Sequence, residues 1–173
     1  MIRTASVLAC LLLLLAGCGG NTGQNTPPAD GEQMRTLTEA EAYQRAEEHI
    51  QRAVASLPEK PTLTLQDESS MECLDPTDNG PRGRYEVGKT YWLDDLQASR
   101  NSEYLSALHE HWVSNGFRVL TDSRPDRSFI SVENNDDAFR MSVKESTEGD
   151  LSLGASSPCI WPDGTPPADA DGQ

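Results

Sequence analysis

Between residues 38 and 57 the apolar positions recur at the helical period. Tyr43, Ile50, Val54 and Leu57, with Ala46 and Ala53, fall on one stripe, and charged residues fill the rest. Two capping boxes fit its start, Thr38 with Glu41 and Thr36 with Glu39, and Pro58 stops it. Thr62 to Gln66 alternates polar and apolar, with Leu63 and Leu65 on one side, which predicts a short strand. Residues 67 to 83 are rich in Asp, Ser, Pro and Gly and predict a loop that carries Cys73. Arg84 to Leu93 alternates again, with Tyr85, Val87, Tyr91 and Leu93 in step. A second helix is predicted over Asn101 to Asn115, its buried stripe being Leu105, Leu108 and Trp112, with Gly116 as the left-handed residue beyond it. Strands follow at Phe117 to Thr121, Arg127 to Asn134, Ala138 to Glu145 and Leu151 to Ser156.

Short strands separated by polar turns such as Asn134-Asn135-Asp136-Asp137 predict antiparallel hairpins. The economical arrangement is an α+β two-layer sandwich: a mainly antiparallel sheet with two helices packed on one face. Side chains of a strand alternate between faces, so each can be assigned to a layer. Ile130, Val132, Phe139, Met141, Val143, Leu151 and Leu153 are expected to face the helices. Thr90, Trp92, Phe129, Ser131, Glu133, Arg140, Ser142, Lys144 and Ser152 are expected on the other side. Trp92, Phe129, Arg140 and Lys144 form the candidate binding face, two aromatics and two cations among hydroxyls. The competing reading is that Trp92 packs under the loop carrying Cys73.

Ahead of this domain lies a different kind of sequence. One positive charge, Arg3, precedes the apolar run Val7 to Ala16, which includes five consecutive leucines from Leu11 to Leu15. Ten residues make a helix of only ~15 Å, about half of a bilayer core, so the run suits a signal segment rather than a membrane span. It ends in Leu15-Ala16-Gly17-Cys18. This resembles the lipobox of bacterial lipoproteins at all four positions. The resemblance implies a thioether-linked diacylglycerol on Cys18, cleavage after Gly17 and further acylation of the new amine, and such chains together hold a protein stably on a membrane. Residues 1–17 are thus expected to be a signal peptide. Residues 18–33 would be the lipidated cysteine with a flexible tether, 34–162 one domain, and 163–173 a disordered tail. The fifteen residues after Cys18 contain no large apolar side chain and would reach roughly 20 Å.

The 173-residue chain has a formal charge of -14. Removal of the segment before Cys18 takes Arg3 with it, which leaves 13 basic and 28 acidic residues and a charge of -15. A surface this acidic repels nucleic acid and anionic lipid headgroups, so neither is an expected ligand. The basic residues are 11 Arg against 3 Lys. With the lipobox and the segment Cys159-Ile160-Trp161-Pro162, that bias makes the layout similar to small actinobacterial lipoproteins of unassigned function. The resemblance implies a place on the extracytoplasmic face of the cell membrane and carries no activity with it.

Two of the four cysteines, Cys10 and Cys18, belong to the export segment. Cys73 and Cys159 remain, an even pair in an oxidising compartment, and predict a disulfide. Closing a loop of this length is worth ~4.5 kcal/mol on the chain-entropy account.

Motifs for chemistry are scarce. His109 and His111 are two apart on a helix and point roughly 200° away from each other, whereas helical metal ligands need a spacing of three or four. They and His49 are read as solvated helix-surface residues, and no metal or cofactor is expected. The acidic runs at residues 134–137 and 169–172 lack the spaced ligands and closing Glu of a calcium loop. No Gly-x-Ser-x-Gly elbow, Ser-x-x-Lys or glycine-rich phosphate loop occurs. The expectation is a lipid-anchored, non-catalytic module that binds an envelope protein or glycan. The alternatives are a small-molecule carrier or sensor with a pocket between sheet and helices, and an envelope hydrolase without a recognisable motif.

Overall fold

A computed structural model describes residues 36–74 and 81–168. The expectations for residues 1–33, Cys18 among them, lie outside the described residues.

The chain forms an α+β sandwich in the order α1 (Glu39–Val54), β1 (Thr62–Glu72), β2 (Tyr85–Asp94), a 3-10 turn (Ala98–Arg100), α2 (Asn101–Ser114), β3 (Phe117–Asp122), β4 (Phe129–Asn134), β5 (Arg140–Glu145) and β6 (Leu151–Ser156). All six strands join one sheet in the order β1-β2-β6-β5-β4-β3, and every pairing is antiparallel. Strands β3 to β6 run as a meander, and β6 then zips onto β2 to join the meander to the β1–β2 hairpin. Both helices lie on one face, α1 over β2 and β6 and α2 over β3 and β4.

The start of α1 uses the box at Thr38. The Thr38 hydroxyl accepts from Glu41 N at 3.3 Å, and the Glu41 carboxylate accepts from Thr38 N at 2.8 Å. Thr36 does something else: its Oγ1 accepts a hydrogen bond from Trp161 N at 2.7 Å. The α-helix ends at Val54, three residues short of the expected end, because Ser56 N and Leu57 N turn back to the carbonyls of Ala53 and Val54. Ala42, Ala46 and Ala53 are fully buried, and such small side chains let α1 settle close to the sheet. At the other helix, Asn101 donates from Nδ2 to Glu145 Oε1 at 2.9 Å and to the Gly149 carbonyl at 2.7 Å, which pins the start of α2 to the β5–β6 turn. Gly116 follows α2 with φ +81°, the left-handed conformation expected there.

The core is continuous. Ile50, Tyr104, Leu105, Leu108, Trp112, Ile130, Val132, Phe139, Met141, Val143, Leu151 and Leu153 are each at most 2% exposed. Each large apolar side chain removed from water to this degree contributes ~1.5–3 kcal/mol. All seven residues assigned to the helix side are among them.

Three expectations need correction. The short strand at Thr62 to Gln66 runs on to Glu72, through sequence that reads as loop. It is an edge strand, exposed along most of its length, so it buries little on either face and needs no apolar alternation. Pairing with β2, interrupted by a bulge between Leu65 and Asp67, holds it in place. Lys89 adds a side-chain tie, 3.1 Å from Glu68 and 3.4 Å from Glu47, and Tyr43 donates to the Ser69 carbonyl at 2.9 Å. Second, the domain continues past Pro162. Thr36 N donates to Gly164 O at 2.9 Å, Glu39 N donates to Pro162 O at 3.0 Å, and Trp161 is 1% exposed. Gly164, with φ +75°, brings its α-carbon so close that a Cβ there would lie 3.1 Å from the Thr36 carbonyl.

Third, His49 is not a surface residue. It is 4% exposed, its ring edge meets Phe117 with centroids 5.5 Å apart, and its Nε2 sits 2.9 Å from Asp137 Oδ2. The β4–β5 turn brings Asp137 down onto α1, a contact that no local pattern announces. Cys73 and Cys159 are bridged, with α-carbons 6.2 Å apart, which ties the end of β1 to the segment after β6.

Candidate functional site

With both helices on one face, the opposite face of the sheet is open, and the strand register sets what it displays. Residues directly opposed in neighbouring strands share a face. One row across the sheet is therefore Thr64, Trp92, Ser152, Lys144 and Phe129. The next is Thr90, Gly154, Ser142, Ser131 and Thr121. A third is Ser69, Gly88, Ser156, Arg140, Glu133 and Arg118. The register thus brings Trp92, Lys144 and Phe129 into a single row and sets Arg140 two rows away.

The middle row forms a low floor. Gly154 is buried, and a Cβ there would come within 2.9 Å of Thr90 Oγ1, so the strands pass closely only because the position lacks a side chain. A shallow depression of about 320 Å³ lies over this floor, between Phe129 and Arg140. It adjoins a second depression of about 420 Å³ beside Phe129 and Lys144, and a third of about 610 Å³ toward the disulfide. Phe129 is half-buried beside the two smaller depressions, Trp92 is half-buried further along its row, and Arg140 and Lys144 are exposed.

Among the described residues, those flanking the disulfide loop lie far from Trp92. Cys73 N bonds to the Arg84 carbonyl at the start of β2, whereas Trp92 is eight residues further along the strand, roughly 25 Å away.

The two cations of the face differ. Arg140 Nε is 2.9 Å from Glu133 Oε2, and Arg118 holds the other oxygen of the same carboxylate. These two guanidiniums hold the Glu133 carboxyl below its ordinary range. Lys144 has no ion pair among the described residues and projects between Ser152 and Phe129. On this face the strands carry Asp67, Glu86, Asp94 and Glu133 against Arg118, Arg140 and Lys144. These charges nearly cancel in a chain of charge -14, so most of its acidic groups lie elsewhere.

The sites implied by the alternative functions can be compared directly. Ser106, His109 and Asp122 gather where α2 meets β3, but the His109 Nε2 is 3.9 Å from Asp122, and Ser106 Oγ donates to the Ser102 carbonyl at 2.8 Å. Arg124 occupies the carboxylate at 2.6 and 2.9 Å and also donates to Ser106 Oγ at 3.2 Å; its hydrogen bonds pull the Asp122 carboxyl down to about 2. This arrangement is an arginine clamp, without the serine–histidine contact that nucleophilic catalysis uses. The space between sheet and helices is filled by the core. At its end, near Trp112, there is a cavity of about 160 Å³, below the several hundred Å³ of ordinary ligand pockets. No group of three or more His, Cys, Asp or Glu residues positioned to hold a metal ion occurs among the described residues.

No family model, curated protein or solved structure matches the chain.

Proposed function

We propose that this protein is a lipid-anchored extracytoplasmic module, non-catalytic, that presents the open face of its sheet to a protein or glycan of the cell envelope. The anchor is Cys18, on the strength of Leu15-Ala16-Gly17-Cys18 after an apolar run too short to span a bilayer. The observation that carries the binding role is the row Trp92–Ser152–Lys144–Phe129. It places two half-buried aromatics, and an ammonium with no ion pair among the described residues, along one line of a nearly neutral, hydroxyl-floored face. Aromatic rings amid hydroxyls provide apolar area with polar contacts around it, the combination used to grip protein side chains or to stack on sugar rings. The near balance of charge matters because the remaining surface repels acidic partners, so contact is directed to this face.

The test is recovery of partners from crosslinked envelope with wild-type protein and with Trp92→Ala/Phe129→Ala. The double variant should lose the recovered partner and keep its melting temperature. Equal recovery by both proteins would remove the face from consideration. Separately, Cys18→Ala should move the protein from the membrane fraction to the medium or leave an uncleaved precursor.

A further inference from the structure

We propose that the open edge of β1 is a docking site for an extended basic polypeptide segment, which adds to the sheet as a further strand antiparallel to residues 67–72. The site lies at the rim of the sheet, apart from the row Trp92–Ser152–Lys144–Phe129, and does not depend on the role assigned to that row.

The backbone supplies the first observation. Strand β1 ends the sheet and pairs only with β2, and beyond its bulge residues 67–72 keep one unbroken register. Cys73 N donates to Arg84 O at 2.8 Å, so these two form a hydrogen-bonded pair, and an antiparallel ladder alternates such pairs with non-bonded ones. Met71, Ser69 and Asp67 therefore turn their backbone groups toward β2, while Glu72, Ser70 and Glu68 turn theirs to the open edge. The far side of β2 agrees. Tyr85, opposite Glu72, exchanges backbone bonds with Ile160, and Val87, opposite Ser70, accepts from Ser157 N at 2.9 Å. Glu68, Ser70 and Glu72 are exposed, and their edge-side groups meet no backbone partner among the described residues. Each can exchange two hydrogen bonds with an added strand. The opposite edge is less suited, because a bulge between Val119 and Thr121 interrupts the register of β3.

Side chains name the occupant. Strand β1 carries Asp67, Glu68 and Glu72, and neither the Lys nor the Pro that commonly guards an edge. Glu68 is engaged by Lys89 at 3.1 Å, whereas Asp67 and Glu72 form no ion pair among the described residues. Met71 is 61% exposed, so apolar area lies beside these charges. Pairing β1 with β1 of a second copy would put the carboxylates of both strands on one ladder, with no cation from either. A segment with cations opposite Asp67 and Glu72 and an apolar residue opposite Met71 is complementary instead. The chain's charge of -14 draws such a segment in.

The probe is the capped hexapeptide Lys-Val-Thr-Thr-Thr-Lys, whose residues in antiparallel order face Glu72, Met71, Ser70, Ser69, Glu68 and Asp67. It is titrated into the full chain and followed through the backbone amide resonances. The amides of Glu68, Ser70 and Glu72 should shift saturably and exchange more slowly with solvent. Ser70→Pro removes a donor that β2 does not use, so it should keep the melting temperature and abolish binding. Asp67→Asn/Glu72→Gln leaves the backbone edge intact, should weaken binding about tenfold, and carries the test if Ser70→Pro unfolds. Trp92→Ala/Phe129→Ala should bind the peptide like wild type, which separates this site from the open face. No saturable shift, shifts that survive Ser70→Pro, or equal binding of a peptide with glutamates in place of its lysines would overturn the proposal. A dimer of the free protein that Ser70→Pro dissolves would assign the edge to a second copy and overturn it as well.

Discussion

The two faces of the sheet are built from the same strands and have opposite characters. Along β4, β5 and β6 the inward residues Ile130, Val132, Met141, Val143, Leu151 and Leu153 are at most 2% exposed. Their immediate neighbours Phe129, Ser131, Glu133, Arg140, Ser142, Lys144 and Ser152 are at least partly accessible. The inward set is uniform in chemistry because one constraint, exclusion of water, acts on every position. The outward set is heterogeneous, as expected where packing imposes little and local pairing decides. Substitutions on the first face should therefore register in stability, and those on the second in binding.

The sharpest break in that contrast would come from Phe139, which is fully buried beside His49, with ring centroids 5.4 Å apart. Phe139→Ala should lower unfolding free energy by about 3–5 kcal/mol in a urea titration. A cost below 1 kcal/mol would mean that the inner layer is less tightly packed than its burial indicates. The next effect in size is covalent: Cys73→Ser/Cys159→Ser should cost about 2–4 kcal/mol and leave the inner core contacts in place. A chevron analysis should place much of that loss outside the native contacts, since the bridge acts mainly by restricting the unfolded chain.

A third prediction compares carboxylates on the two sides. Burial opposes ionisation of Asp137, but hydrogen bonds from His49 and from Phe139 N, with support from Arg45, outweigh it and lower its pKa below 3.8. A carboxyl depressed in the folded state contributes stability that is fully present above the unfolded value and is lost as pH falls through the folded one. Stability should accordingly decline as pH drops below about 4, and Asp137→Asn should flatten part of that decline. Glu133, also lowered but on the accessible face between two exposed guanidiniums, should contribute a smaller part through Glu133→Gln, because solvent screens the pairing. An equal effect from both would erase the distinction. The smallest expected change is the stability of Trp92→Ala/Phe129→Ala, within about 1 kcal/mol of wild type. Collapse of the fold in that variant would make these rings core residues.

Much of the inner layer was legible in the chain because its signal is local. Alternation in residues 129–134, 140–145 and 151–156 and the stripe Leu105, Leu108 and Trp112 record which side of each element meets water. The candidate face followed from the same alternation, and the register sets Trp92 and Phe129 in one row across the sheet. Its electrostatics did not follow. Arg140 reads as a free cation until the register of β4 on β5 sets Glu133 opposite it and β3 brings Arg118 to the same carboxylate.

What the sequence by itself determined is the set of elements with their own buried stripe and the two-layer class they imply; it pointed to Cys73 and Cys159 as a pair once Cys10 and Cys18 were set aside with the expected export segment. The tertiary structure alone decided the rest. Strand β1 reaches Glu72 because β2 offers a ladder to polar residues, and backbone hydrogen bonds are indifferent to side-chain type. His49 is buried because a turn nearly ninety residues away supplies Asp137. Strand β6 lies beside β2, and Asp163 pairs with Thr38, through contacts whose partners are far apart along the chain. Local patterns report how each residue meets water; which distant residue it meets depends on closing the chain, and that is settled only by the packing of the whole.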